Sequence, residues 1–361
     1  MLPWSKPKLF GKEKKYVVDA LNSSWISGGK YINRLEDKLK KYFKVKFAFL
    51  VSSGTTAIHL SYLSIGLKPQ DEIIVPGFGY MAAANIAKLM GLKIKFADVN
   101  KKTYCVSLKD IKSVYSRKTK AVVIIHTYGN IFEIGKIRSW CRDKKIKLIE
   151  DAAESLGSRF NKKLSGTFGD IGTFSLHATK NITTGEGGIV ITNSKKIAEK
   201  IKLFRSHGVN KKRYFHIVPG HNFRLTNFQA AMGLAQFSKL NLIIKKRKKI
   251  YEKYLSLIDK DKFFFQEIKK NVDFVPWTIA IYHKKKQNKK ISKIMSKLLK
   301  KKIETRNGFY SANRINYFNT KQNIIKNSDY LSKNIICLPL YVDLKNKDIL
   351  KISKEINKIY L

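Results

Sequence analysis

The sequence predicts an α/β protein, and three observations carry that expectation. Short apolar, β-favouring runs alternate along the chain with segments of helical period. Several of those runs leave through Gly- or Pro-bearing turns, as in FLVSSG and IIVPG. With 361 residues and 43% apolar content, there is enough chain for one large α/β domain and a smaller one.

KEKKYVVDALN (12–22) has apolar positions at helical spacing and reads as a short amphipathic helix. A Ser-Gly-Gly turn in WISGGKYINRLEDKLKKYF precedes a second helix, from about Tyr31 to Phe43. FAFLVSS (47–53) is a compact apolar run ending in Gly54, and TTAIHLSYLSIGL continues with helical period. Strand, tight turn and helix leave free backbone N–H groups at a helix N-terminus, where a phosphate binds well. Many βα units turn on glycine and bind nothing, so the turn alone is weak evidence.

EIIVPGFGYMAAANIAKLMGL gives a second such unit. Phe78 and Tyr80 lie just past its strand, where open α/β sheets form ligand sites and where aromatics also fill cores. KIKFADV (93–99) and AVVIIHTYG (121–129) read as strands, the second followed by a helix containing IRSWCRDKK. KLIEDAAESLGS is an apolar strand ending in Glu150 and Asp151. A carboxylate there needs a cationic partner if buried; alternatively Asp151 caps a helix over AAESLG.

GDIGTFSLHATKNITTGEGG (169–188) is the stretch richest in chemistry. β-favouring residues lead to Phe174 and Ser175, Lys180 follows, and Thr183–Gly188 are small or polar with three glycines. Lys180 reads either as a surface lysine between strands or as a Schiff-base lysine, whose amine forms an imine with an aldehyde cofactor. GIVITN (188–193) is a strand, followed by a basic helix to about Phe204. RYFHIVPGHNFRLTNFQAAMGLAQF (213–237) starts as a loop and turns helical after Thr226. Past about Lys245 a Lys-rich helix, IIKKRKKIYEKYLSLI, leads into mixed segments such as FVPWTIAIYH and IICLPLY. The expected division is a large domain over 1–245 and a small C-terminal α+β domain over 246–361.

Composition bounds the function. No apolar run approaches the roughly 20 residues that span a bilayer, and MLPWSKPKLFGKEKKY lacks the apolar core of a secretory signal. Cys105, Cys141 and Cys337 are widely spaced and have no metal-ligand pattern, which predicts reduced thiols in a soluble cytoplasmic protein with no metal. The net charge of +47 suggests either a polyanionic partner or a lysine-biased, solvated surface. The excess is Lys rather than Arg and is spread along the chain, and its densest runs lack interleaved aromatics, which favours the solvated surface over nucleic acid.

Taken together, WISGGKYINRLE, SSGTTAIHL, VPGFGYMAAANIA, FADVNKKTY, HTYGN, EDAAESLGS, GDIGTFSLHATKNITTGEGG and HNFRLTNFQAA follow one order, from Trp25 toward the C-terminus. In these blocks the chain resembles the DegT/DnrJ/EryC1/StrS sugar aminotransferases, a branch of the fold-type I (aspartate aminotransferase-like) pyridoxal phosphate enzymes. The resemblance implies a large domain with a mostly parallel seven-stranded sheet, plus the small C-terminal domain. TTGEGG, RYFHIVPGHNFRLTN and KKIETRNGFY (301–310) are most similar to members that aminate C-4 of a 4-keto-6-deoxy sugar.

Roles follow from the resemblance by position. Lys180 holds pyridoxal 5'-phosphate and shuttles the proton, the cofactor passing through its pyridoxamine form during turnover. Asp151 keeps the pyridine nitrogen protonated, Glu154 lies near the ring hydroxyl, and Tyr80 stacks on the ring. Gly54, Thr55 and Ser175 bind the phosphate. Asn222 reaches the phosphate of the other subunit, which implies a homodimer with active sites at its interface. His126 and His177 read as packing or polar lining, and Arg224 as structural. The implied donor is L-glutamate, released as 2-oxoglutarate, and the implied acceptor is a nucleotide-linked keto-sugar destined for a surface polysaccharide such as O-antigen. GFGYM and SANR (311–314) depart from the family's commoner segments and leave the sugar open. The alternatives are amination at C-3, a UDP- or dTDP-linked sugar, the 3-dehydratase branch (which has histidine at the position of Lys180), and a non-enzymatic basic nucleic-acid-binding or regulatory protein.

Overall fold

The computed structural model describes residues 1–210, 212, 214–285, 291–318 and 325–359. Helices α1 (Lys12–Asn22) and α2 (Lys30–Phe43) precede the first strand. Tyr31, Leu35, Leu39 and Phe43 are the buried residues of α2, a four-residue repeat that forms one stripe. Lys44 ends the helix in the left-handed region at φ 55°.

Alternating units follow: β1 (Phe47–Val51), α3 (Gly54–Ile65), β2 (Glu72–Pro76), α4 (Ala82–Leu89), β3 (Lys93–Ala97), α5 (Leu108–Val114), β4 (Thr119–Ile125), α6 (Ile134–Asp143) and β5 (Lys147–Asp151). A short hairpin, β6 (Arg159–Phe160) and β7 (Lys163–Leu164), leads to β8 (Ile171–Ser175) and β9 (Gly188–Thr192). Seven strands form one sheet in the order β1-β9-β8-β5-β4-β2-β3. Strands β8, β5, β4, β2 and β3 pair in parallel, while β9 runs antiparallel to both β1 and β8. The mostly parallel seven-stranded sheet expected from the sequence is thus observed. β2 and β9 are buried at every position, because helices cover both faces of such a sheet.

AAESLG is not a helix. Residues 152–158 form successive turns, because local polar groups are used otherwise. Asp151 Oδ1 accepts from Ala153 N at 3.1 Å, and Glu154 reaches back to Tyr128 N at 2.7 Å. Tertiary bonds outweigh the helical period there.

Helices α7 (Lys195–Arg205) and α8 (Asn227–Phe237) complete this part, and α9 (Leu240–Leu257) carries the chain across position 245. Beyond it lie β10 (Phe263–Phe265), β11 (Val272–Asp273), β12 (Ile279–His283), α10 (Ile291–Lys300), β13 (Arg306–Asn307), α11 (Lys326–Asn334), β14 (Ile336–Leu338) and α12 (Asn346–Asn357). Four of these strands form an antiparallel sheet, β10-β12-β14-β13. Its core joins Ile279, Ile281 and Leu338 to Ile250 and Tyr254 of α9 and Ile352 of α12. These later segments also contact earlier parts of the chain: β11 pairs with β6, and Leu2 bridges Ile303. Among the described residues no helix is long and apolar enough to cross a membrane.

Candidate active site

The carboxyl ends of β5 and β8, the start of α3 and the loop after β2 surround a cavity of about 420 Å³. Ligand sites of open α/β sheets form at such strand ends. Seven of the residues expected there line it: Gly54, Thr55, Tyr80, Asp151, Glu154, Ser175 and Lys180.

α3 opens toward the cavity through a capping box. Ser53 Oγ accepts from Thr56 N at 3.0 Å, and Thr56 Oγ1 accepts from Ser53 N at 2.9 Å. The amides of Gly54 and Thr55 then have no carbonyl within the helix to donate to. Glycine is required at 54 because a Cβ there would lie 2.9 Å from Ser175 Cβ. Helix start and strand end thereby meet closely, with the Ser175 hydroxyl beside free amides.

Strand β5 delivers two adjacent carboxylates. Glu150 is fully buried and accepts from the amides of Gly166, Phe168 and Gly169 at 2.8, 2.6 and 2.5 Å, and it lies 2.9 Å from His126 Nε2. His126 is therefore the partner of Glu150, a packing role away from the cavity. Asp151 faces the cavity with one hydrogen bond, from Ala153 N. Burial raises its pKa, against the pull of that amide and of the Lys180 charge.

Lys180 Nζ lies 3.7 Å from Glu154 Oε1 and 4.0 Å from the ring centroid of Trp277. Burial lowers the lysine pKa, opposed by the charges of Glu154 and Asp151. Burial also pushes Glu154 up to about 7, opposed by Lys180 and by the Tyr128 amide. Burial thus disfavours the charged form of both groups, and each one's charge opposes that shift in the other. Glu154 Oε1 is buried and has no hydrogen-bond partner. Such an atom is costly to keep unless something completes it.

Tyr80 stands at the mouth, 62% exposed, whereas Phe78 is core. His177 lies on the rim, with Nδ1 2.9 Å from Thr179 Oγ1 and Nε2 3.7 Å from Glu186 Oε1. Asn222 is not brought to this cavity; it is exposed on a separate loop, where its Oδ1 accepts from Arg224 Nε at 3.0 Å.

Sequence reasoning missed the far wall. Trp277 stacks against Tyr128 and Phe309, at 6.2 and 6.1 Å between centroids, and its indole N–H donates to Thr179 O at 2.9 Å. Trp277 is fixed by Arg247, a buried guanidinium that donates to Pro276 O at 2.9 Å and Trp277 O at 2.5 Å. VPWTIAIYH carries no motif, so its tryptophan reads as a strand residue like any other.

A match to the DegT/DnrJ/EryC1/StrS aminotransferase family covers residues 7–357. The chain is 36% identical to a GDP-perosamine synthase of Escherichia coli O157:H7, over 99% of this chain and 98% of the relative. It is 42% identical to a GDP-perosamine synthase of Vibrio cholerae, over 71% of this chain and 70% of the relative. Among solved structures it superposes on Helicobacter pylori PseC, an aminotransferase involved in the biosynthesis of pseudoaminic acid, with a TM-score of 0.94. That pair is 27% identical, over 99% of this chain and 98% of the other. An E. coli GDP-4-keto-6-deoxy-D-mannose-3-dehydratase with bound hydrated PLP gives a TM-score of 0.92 at 25% identity, over 99% of both chains. With the cavity and fold described above, these matches show that the chain belongs to the DegT/DnrJ/EryC1/StrS aminotransferase family, within the fold-type I pyridoxal phosphate enzymes.

Proposed function

We propose that this protein transfers an amino group from L-glutamate to the C-4 ketone of a nucleotide-linked 4-keto-6-deoxy hexose, with pyridoxal phosphate as cofactor. The observation that carries the chemistry is the buried amine of Lys180, set between Glu154 and the face of Trp277. The residues present fit the cofactor. Glu154 Oε1 is buried and makes no hydrogen bond, with only the Lys180 amine 3.7 Å away, and a ring hydroxyl would complete it. Free amides and the hydroxyls of Thr55 and Ser175 suit a phosphate dianion at a helix N-terminus.

When bound, pyridoxal phosphate supplies an electron sink that stabilises negative charge on the carbon next to the amine. Lys180 would hold the cofactor through Nζ and, when free, the same amine would carry the proton that leaves the substrate carbon. Burial lowers the lysine pKa, the direction that favours the neutral amine a base needs. Asp151 would keep a proton on the pyridine nitrogen, and Tyr80 would lie against the ring. Asn222 belongs to the site of a second copy, so the active form is a homodimer. The division near residue 245, into a cofactor-holding domain and a smaller one, is part of this reading, as is a cytoplasmic enzyme feeding surface-polysaccharide synthesis.

The C-4 regiochemistry and the GDP-linked sugar are supported by a relative named GDP-perosamine synthase that matches nearly the whole chain, and by others of that name over about 70% of it. The first test is an absorbance spectrum of the purified protein, before and after L-glutamate. A visible band that glutamate converts to the pyridoxamine absorbance is the expected result. A protein that stays colourless after added pyridoxal phosphate overturns the reading. Turnover of GDP-4-keto-6-deoxymannose, with the product amine located by NMR, then decides C-4 against C-3.

A further inference from the structure

Arg247, on α9, is a buried cation that the chemistry above does not use. It is 3% exposed, and its guanidinium donates to Pro276 O through Nε at 2.9 Å and to Trp277 O through Nη2 at 2.5 Å. Among the described residues it forms no ion pair. Burial pushes it down to about 9, which still leaves it a cation at neutral pH.

A buried charge with no acid beside it is costly. The two carbonyls do not require one, since a neutral amide donor would satisfy a carbonyl at a smaller cost. The Trp277 ring does not require it either. Its indole N–H donates to Thr179 O at 2.9 Å, it lies nearly parallel to Tyr128 and Phe309, and Trp4 meets it edge-on at 5.4 Å. Trp4 is itself pinned, its backbone N–H donating to Glu304 Oε2 at 2.9 Å. What remains for the guanidinium is its field.

That field falls on Lys180. One of the carbonyls that hold Arg247 belongs to the residue whose ring lies 4.0 Å from Lys180 Nζ, so a single residue links the two cations. Both groups are buried, where charges are weakly screened. Burial disfavours the ammonium form of Lys180, the carboxylates of Glu154 and Asp151 favour it, and Arg247 sides with burial. Tyr80, His177 and Glu186 line the same cavity, and burial keeps Tyr128, stacked on Trp277, neutral.

We propose that Arg247 is a positioning residue whose fixed positive charge, held on the carbonyls of Pro276 and Trp277, biases the Lys180 amine toward its neutral, imine-forming state. The carboxylates beside Lys180 are needed for the cofactor but trap the amine as an ammonium; the guanidinium offsets that pull. The inference rests on the reading above that Lys180 takes the cofactor.

The test uses cofactor-free protein and sub-stoichiometric pyridoxal phosphate, from about pH 6 to about pH 8.5, a range in which Arg247 stays charged. Amine and aldehyde condense with loss of water, and the growth rate of the visible imine band is read against a Lys180→Ala blank. That rate follows the neutral fraction of Lys180. The other titrating groups are common to every protein compared, so a shift of the pH profile reports residue 247. Arg247→Met should move the profile up by about half a unit or more, slowing uptake at neutral pH about threefold. Arg247→Lys keeps the charge and should stay within about 0.2 of a unit of wild type. Should Arg247→Met not fold, Arg247→Gln, which keeps a donor for one carbonyl, carries the same expectation. An unchanged profile in a folded Arg247→Met or Arg247→Gln overturns the inference, even with thermal stability lowered, because a purely structural guanidinium would cost stability alone. Arg247→Lys shifting as far as Arg247→Met also overturns it, since charge would then not be the active part. Wild type whose band never exceeds the Lys180→Ala blank breaks the cofactor reading itself, a failure visible without any Arg247 variant, and the inference falls with it.

Discussion

Glu150 and Asp151 are neighbours at the end of β5, and they live on opposite faces of the sheet in opposite circumstances. On one face Glu150 is saturated, with three amide donors and the His126 ring around its two oxygens. On the other, Asp151 holds one amide, and Glu154, three residues on, has an oxygen that makes no hydrogen bond, the Lys180 amine standing 3.7 Å away. Both faces are buried, so burial does not distinguish a structural carboxylate from a reactive one. Unspent hydrogen-bonding capacity does. The saturated face holds the loop 166–169 to the sheet; the unsaturated face leaves acceptors free beside Lys180.

The comparison can be broken by substitution. The largest effect belongs to the unsaturated face: Lys180→Ala should abolish turnover and leave the protein folded, measured by transamination assay and circular dichroism. Full activity in that variant would sink the assignment of Lys180. Next comes the saturated face. Glu150→Ala strands the buried amide of Gly166, the half-buried amides of Phe168 and Gly169, and His126, which should cost about 3 kcal/mol or more of stability by denaturant unfolding. Any of this variant that folds should still take up cofactor with an ordinary spectrum. An unfolding midpoint equal to wild type would show that the saturated network does not hold the fold together.

What could be read in the sequence follows the same divide in range. Asp151, Glu154, Ser175 and Lys180 sit within 30 residues of one another, at strand ends that the apolar pattern marks, and Gly54 opens a helix after a strand. Most strand positions were legible because they are largely apolar runs bounded by a turn, while the mostly parallel, seven-stranded arrangement followed from the family resemblance and not from the runs themselves. The far wall was not legible. Trp277 reaches Lys180 across 97 positions and Trp4 reaches Glu304 across 300, and no local period encodes such contacts. The alternative of a helix over AAESLG fails for a related reason. Its helical spacing is real, but Glu154 is spent on Tyr128, an interaction that only the folded chain provides.

The smallest effect is also the sharpest test of the unsaturated face. Burial lifts the Glu154 pKa from 4.5 to about 7 in the folded protein, with Lys180 and the Tyr128 amide opposing it. Between those values the folded state binds more protons at this group than the unfolded state does. The group's contribution to stability therefore falls as pH rises through that window, and levels off above about 7. Glu154→Gln cannot ionise, so cofactor-free protein carrying it should lose that part of the decline. Guanidinium midpoints at pH 5 and pH 8 measure this, with the wild type dropping more between them than the variant. The same change should leave the glutamate half-reaction measurable, because glutamine still offers a carbonyl oxygen to the site, but it should flatten a pH–rate limb near 7. Equal midpoint shifts in both proteins would mean that Glu154 is not the group titrating there, and that its free oxygen is completed by something other than a proton or a bound hydroxyl.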